Sequence, residues 1–74
     1  MPLVTTVEPD GDALRDRRER RGLTQQQLGD LAQCSGSYVS AIERGRDKRV
    51  GRTVVSRLAM AMESELEDLI KKAA

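Results

Sequence analysis

Between residues 23 and 45 the apolar positions recur at helical spacing in two short runs. In LTQQQLGDLAQCSGSYVSAIERG, Leu28 and Ala32 share one face of the first run, and Val39 and Ile42 share one face of the second. Polar residues mark the ends. Thr24 with Gln27 forms a capping box, Ser35 caps the second run and Gly45 stops it. These signals predict helices over residues 25–33 and 36–44, with Gln33 and Cys34 at the junction. Helices this short cannot bury themselves side by side, so a connection this tight implies a steep crossing, the form of a helix-turn-helix.

The rest of the chain continues the helical pattern. Asp10 or Asp12 can cap a helix reaching about residue 21, with Gly22 as its stop. After a loop over 45–51, Val55, Leu58, Ala59 and Met62 mark one face of a helix over 52–62. Ser64 opens a last helix through about residue 71, with acids in its first turn, Lys71 and Lys72 in its last, and Leu66, Leu69 and Ile70 as its stripe. The expectation is an all-α domain of five helices over residues 10–72. Residues 1–9, with Pro2, Pro9 and the β-prone LVTTV, find nothing nearby to pair with and are expected to form a flexible arm. Strand exchange between two copies is the alternative for this arm, which is not basic enough to enter a minor groove. Two apolar residues, Leu31 and Met60, fall on the outer sides of their helices, where a single exposed apolar residue is ordinary.

Composition narrows the function classes. Seventy-four residues make one small domain with a marginal core, and with no Phe or Trp and one Tyr that core must be aliphatic. Cys34 stands where a small buried residue belongs and reads as a core thiol in a reducing setting, since the chain has no His and no second Cys. Without His the usual general base is missing, and neither a Gly-rich phosphate loop nor metal spacing occurs. No enzyme activity, cofactor, metal or small-molecule ligand is therefore expected. Apolar runs of only a few residues, and a start lacking the pattern of a signal peptide, lead to the expectation of no membrane span and a cytoplasmic location.

The formal net charge of +1 conceals a polarised chain. Arg44, Arg46, Lys48, Arg49, Arg52 and Arg57 stand against the single Asp47, whereas Glu63, Glu65, Glu67 and Asp68 form an acidic run. A third cluster, Arg15, Arg17, Arg18, Arg20 and Arg21, is mixed with Asp16 and Glu19. Each run has a bland alternative as a solvated helix face. For residues 44–52 a binding role is the better reading, because they directly follow the second helix of the motif.

The stretch resembles the phage repressor and Cro type of helix-turn-helix domain, with the pattern L-T-Q-x-x-L-A-x-x-x-G-V-S-x-x-x-I-S-x-x-E-x-G. Leu23, Thr24, Gln25, Leu28, Ser35, Ser40, Glu43 and Gly45 match it, and Gly29, Cys34 and Val39 are size-compatible replacements. Gln33 departs from it, standing where the family has a turn Gly; a left-handed residue there costs a side chain about 1 kcal/mol. The resemblance implies a five-helix repressor-like bundle that binds double-stranded DNA. It implies that Gln25 bonds a phosphate and braces the recognition helix, and that Arg18 and Glu43 form a structural salt bridge.

In such a domain the second helix of the motif enters the major groove. With Val39 and Ile42 turned inward, Gly36, Ser37, Ser40 and Ala41 face outward with Tyr38 flanking, and these are the expected base-reading positions. They are small and discriminate bases weakly, so DNA shape supplements them. Packing over the turn is the alternative for Tyr38. Thr24, Gln25, Ser35, Arg44, Arg46, Lys48, Arg49 and Arg52 are the expected phosphate contacts, aided by backbone N–H groups opening the second and fourth helices. Met60, Leu66, Leu69 and Ile70 offer the spare apolar surface for a weak homodimer, which would place two recognition helices one DNA turn apart. The expected function is a sequence-specific transcriptional regulator, a Cro-like repressor acting by promoter occlusion, with no room for an effector domain. A restriction–modification controller, an antitoxin-type regulator and a protein-binding adaptor remain as alternatives.

Overall fold

The computed structural model of the protein describes residues 5–71. Its elements are strand β1 (Thr6–Val7), helices α1 (Gly11–Arg20), α2 (Gln25–Leu31) and α3 (Gly36–Glu43), strand β2 (Val50–Gly51), helix α4 (Arg52–Ala61) and a 3-10 turn (Leu66–Leu69). The caps explain the boundaries. Asp10 Oδ1 accepts from the Ala13 N–H at 3.1 Å, Thr24 and Gln27 form the reciprocal box, and Ser35 Oγ accepts from the Tyr38 N–H at 3.0 Å. Gly45 ends α3 at φ 74, a left-handed conformation that glycine adopts without penalty.

Every element except β1 contributes to one aliphatic core: Leu14, Leu28, Ala32, Val39, Ile42, Val50, Val55, Leu58, Ala59, Met62 and Leu69. The start of α1 lies against the end of α3 so closely that a Cβ at Gly11 would sit 2.6 Å from the carbonyl oxygens of both Ile42 and Glu43. The backbone of α1 thus packs directly on the C-terminus of α3.

Three sequence expectations are corrected. The last helix is a single 3-10 turn, so the described residues hold four α-helices and a two-stranded sheet. Glu63, at φ 54, turns the chain out of α4, and the Asp68 carboxylate accepts from the Glu65 N–H at 3.0 Å to cap the short turn. Ile70 then extends to bridge Pro9, because the Asp10 N–H donates to the Leu69 carbonyl at 2.8 Å and the Lys71 N–H to that of Glu8 at 2.9 Å. Lys72, expected in the last helical turn, lies outside the described residues.

Those same bonds fasten the segment expected to be a free arm. Over residues 5–9 it forms a strap: β1 pairs antiparallel with β2, Thr6 opposite Gly51 and Val7 opposite Val50. The Arg52 N–H donates to the Thr5 carbonyl at 2.9 Å. Pro2 and the beginning of LVTTV lie outside the described residues.

The spare apolar surface is also smaller than expected. Leu69 is 1 % exposed and belongs to the core, and Leu66 and Ile70 pack against it half-buried. A 3-10 turn repeats every three residues, which sets Leu66 and Leu69 on one inward side. Met60, 76 % exposed, and Leu31, 60 % exposed, are the large apolar side chains left in solvent among the described residues. No described helix is long and apolar enough to cross a membrane.

Candidate nucleic-acid interface

The turn between α2 and α3 is unusually close. A Cβ at Gly29 would fall 2.8–2.9 Å from backbone atoms of residues 34–36, so the alanine of the family pattern would force the turn apart. Gln33 takes the left-handed conformation at φ 62, as the position of the family's turn glycine implies. Its polar side chain is exposed, so the conformation carries backbone strain without burying a polar group. The Cys34 thiol is half-buried, and burial pushes its pKa above the ordinary value against the pull of Arg57. It therefore lacks the thiolate character of a reactive cysteine.

Behind the turn, Glu43 anchors α3. Its carboxylate is fully buried and accepts from Arg18 Nε at 2.6 Å and Nη2 at 3.1 Å, from Gln25 Nε2 at 3.1 Å, and pairs with Arg15 Nε at 3.6 Å. Arg18 also donates to the Leu23 carbonyl at 2.8 Å, tying α1 to the segment before α2. Burial alone would raise the Glu43 pKa, but the hydrogen bonds from Arg18 and Gln25 and the charges of Arg18 and Arg15 outweigh it and hold the group below its ordinary value. The hydrogen bond to Glu43 correspondingly raises Arg18. Gln25 thus braces α3, spending one side-chain N–H on Glu43.

On the outer side, Gln25, Gln26, Gly36, Ser37, Ser40, Arg44 and Arg46 line one open groove. Ser37 is exposed, and Ser40 and Ala41 are half-exposed on the same side of α3. Arg44 folds back along the helix, donating to Ser40 Oγ from Nε at 3.2 Å and from Nη2 at 2.9 Å. The Ser40 hydroxyl oxygen is therefore occupied and retains its O–H to donate.

Two of the expected base-reading residues are placed differently. Gly36 is buried, and its close approach is to α2: a Cβ there would meet Gln26 Oε1 at 2.9 Å and Gln26 Cα at 3.0 Å. Glycine is needed so that α3 can begin against the first turn of α2. Tyr38 is half-buried against the core, and burial raises its phenol, reinforced by Asp47 and Cys34. That is packing over the turn. Gln26, absent from the sequence expectations, also lines the groove, and its place in the first turn of α2 next to Gln25 is the sequence signal for it.

The charges sort by location. Every arginine of the α1 region faces a carboxylate: Arg15 and Arg18 pair with Glu43, Arg17 with Asp68, Arg20 with Asp16 and Arg21 with Glu63. Among the described residues, Arg44, Arg46, Lys48, Arg49, Arg52 and Arg57 have no carboxylate within 4.0 Å. Of the three charged runs in the sequence, the arginines of the first are all paired, Glu63 and Asp68 of the acidic run are paired, and among the described residues no cation of the run after α3 is. Lys48 sits apart from the groove, in a cleft with Glu8, Asp10, Asp12 and Asp47. Thr24 and Ser35 are exposed with their oxygens engaged in caps, and the first N–H of α4 is taken by Thr5.

Residues 11–69 match the family described as Helix-turn-helix domain, and the chain belongs to that family. Among solved structures it is similar to the clp gene regulator ClgR from Corynebacterium glutamicum, with 31 % identity and a TM-score of 0.73 over 78 % of this chain and 61 % of that one. The restriction–modification controller protein C.AhdI from Aeromonas hydrophila shows 34 % identity and a TM-score of 0.74, covering 78 % of this chain and 83 % of that one. Hydroxypropylphosphonic acid epoxidase from S. wedmorenis matches with 25 % identity and a TM-score of 0.77, covering 86 % of this chain and 34 % of the enzyme. This chain thus spans about a third of that enzyme and 61 % of ClgR. No curated protein sequence matches it.

Proposed function

We propose that the protein binds double-stranded DNA in a sequence-dependent manner through α3 and regulates transcription, repressing by covering promoter elements. One observation carries this reading: the groove that joins Ser37 and Ser40 of α3 to Arg44 and Arg46, two cations without a carboxylate partner among the described residues. A helix face with short hydrogen-bonding side chains supplies base contacts, and flanking uncompensated cations supply affinity from phosphates. Arg44→Ala is expected to weaken binding to all duplexes alike and to lower the slope of log affinity against log salt by about 1. Fluorescence anisotropy over a salt series measures it. An unchanged slope removes Arg44 from the phosphate contacts, and salt-independent binding favours the adaptor reading.

Sequence preference is assigned to Ser37 and Ser40. Replacing both with Ala is expected to relax selectivity at one or two base pairs of a half-site, by about 1–3 kcal/mol per position. Selection from a random duplex library before and after the change reads this out. Recovery of an identical binding motif would show that another surface reads the bases.

A restriction–modification controller is the second reading, favoured by the 34 % identity to C.AhdI over most of that protein's length. Either regulator gains half-site spacing from a two-fold pair of copies, and Met60 with Leu31 is the exposed apolar surface available to a weak homodimer.

A further inference from the structure

We propose that the N-terminal strap aims the basic segment at DNA, with Thr6 as the positioning residue for Arg49; this rests on the DNA-binding reading above. Arg49 lies in the loop between α3 and β2 and is exposed, with no carboxylate partner among the described residues. A long side chain in that setting would sweep through many rotamers and pay for its ordering on contact with a phosphate. Thr6 removes that freedom. Its hydroxyl oxygen accepts from Arg49 Nε at 3.2 Å, and its carbonyl oxygen accepts from Nη2 at 3.5 Å. A guanidinium has five N–H donors, so three stay free to meet phosphate oxygens.

Thr6 is itself held on both sides. It pairs with Gly51 in the ladder, and the neighbouring Thr5 carbonyl takes the Arg52 N–H, so one strand fixes the end of the basic loop and the start of α4. The far end of the strap is anchored separately, through the Pro9–Ile70 bridge, the Asp10–Leu69 and Lys71–Glu8 backbone bonds, and the Lys71–Glu8 ion pair at 3.4 Å. The loop therefore leans on a support fastened to the opposite end of the chain.

The test uses the full chain and a fluorescein-labelled duplex of random sequence, titrated over a salt series. Arg49→Ala is expected to lower the salt slope by about 0.9, the value of one lost phosphate contact. Thr6→Ala, which removes the hydroxyl acceptor and keeps the carbonyl, should weaken binding part of the way toward Arg49→Ala at an unchanged melting temperature and a nearly unchanged slope, and Thr6→Ser, which keeps the hydroxyl, should restore it. The double variant should bind no worse than Arg49→Ala alone. Additive losses in the double variant, or full binding by Thr6→Ala, would overturn the positioning role. If the intact chain shows no salt-dependent binding, the DNA reading falls and this inference falls with it. If Arg44→Ala lowers the slope while Thr6→Ala leaves the affinity unchanged, this inference alone falls.

Discussion

Arg18→Ala is expected to cost about 3–5 kcal/mol of folding stability, because it strands the buried Glu43 carboxylate. The Arg18 side chain is 12 % exposed and that of Glu43 is 0 % exposed, so water cannot replace the lost donors. Gln25 and the more distant Arg15 remain, which places the loss toward the lower end of the range. The cost belongs to the broken pair and is not the net worth of the intact one. Replacing Arg18 with Met and Glu43 with Leu together is expected to recover most of it, since both the desolvated charges and their attraction are removed.

The same pair sets an acid limit. Glu43 ionises below its ordinary value of 4.5, so between the folded and unfolded values the unfolded chain binds more protons. Its stabilisation is complete above 4.5 and is lost as pH falls through the lower folded value. The difference in stability between the natural protein and Arg18→Ala should therefore shrink on acidification from neutral pH. Urea unfolding across that window measures it, and a difference that stays constant with pH would remove Glu43 as the cause.

Gly11→Ala is the second large effect, and here two contributions oppose each other. Helix propensity favours alanine by about 0.5–1 kcal/mol in a helix interior, and by less at the first residue of α1. Against this, the new Cβ would stand 2.6 Å from two carbonyl oxygens of α3. Those atoms are backbone and cannot rotate aside, so α1 must lift from the end of α3. Overpacking of this kind costs about 1–3 kcal/mol, so steric conflict should win and the variant should be less stable. Asp12→Ala, one residue along on an exposed position, should change stability by no more than about 0.5 kcal/mol. A Gly11→Ala protein as stable as the original would show that α1 and α3 sit further apart than the structure has them.

What the sequence alone determined is what local physics controls. The capping box of Thr24 and Gln27 and the Ser35 cap depend on side chains three residues from the groups they satisfy, and the stop at Gly45 on the conformational freedom of one glycine. The inward sets Leu28 with Ala32 and Val39 with Ile42 follow from helical period, which is why the two helices of the motif, and the outward placement of Ser37 and Ser40 on the second, were legible. The resemblance placed Arg18 beside Glu43, across 25 residues, because a family pattern carries long-range information that spacing lacks.

Everything decided between distant segments was out of reach. Two-residue strands have no periodicity to read, so the pairing of β1 with β2 existed only once the fold had brought Thr6 to Gly51. The stripe of Leu66, Leu69 and Ile70 fits a helix and a 3-10 turn equally well, and backbone bonds to residues 8 and 10 made the choice. Those choices buried Leu69 and half-buried Leu66 and Ile70, leaving Met60 as the fully exposed member of the expected dimer surface. Charge behaved likewise: Arg20 found Asp16 one turn away within α1, but the tertiary fold paired Arg15 and Arg18 with Glu43, Arg17 with Asp68 and Arg21 with Glu63, and left the cations after α3 uncompensated. Coulomb energy depends on distance in space, and in a chain this short the packing of α1 against α3 and the 3-10 turn is what sets those distances.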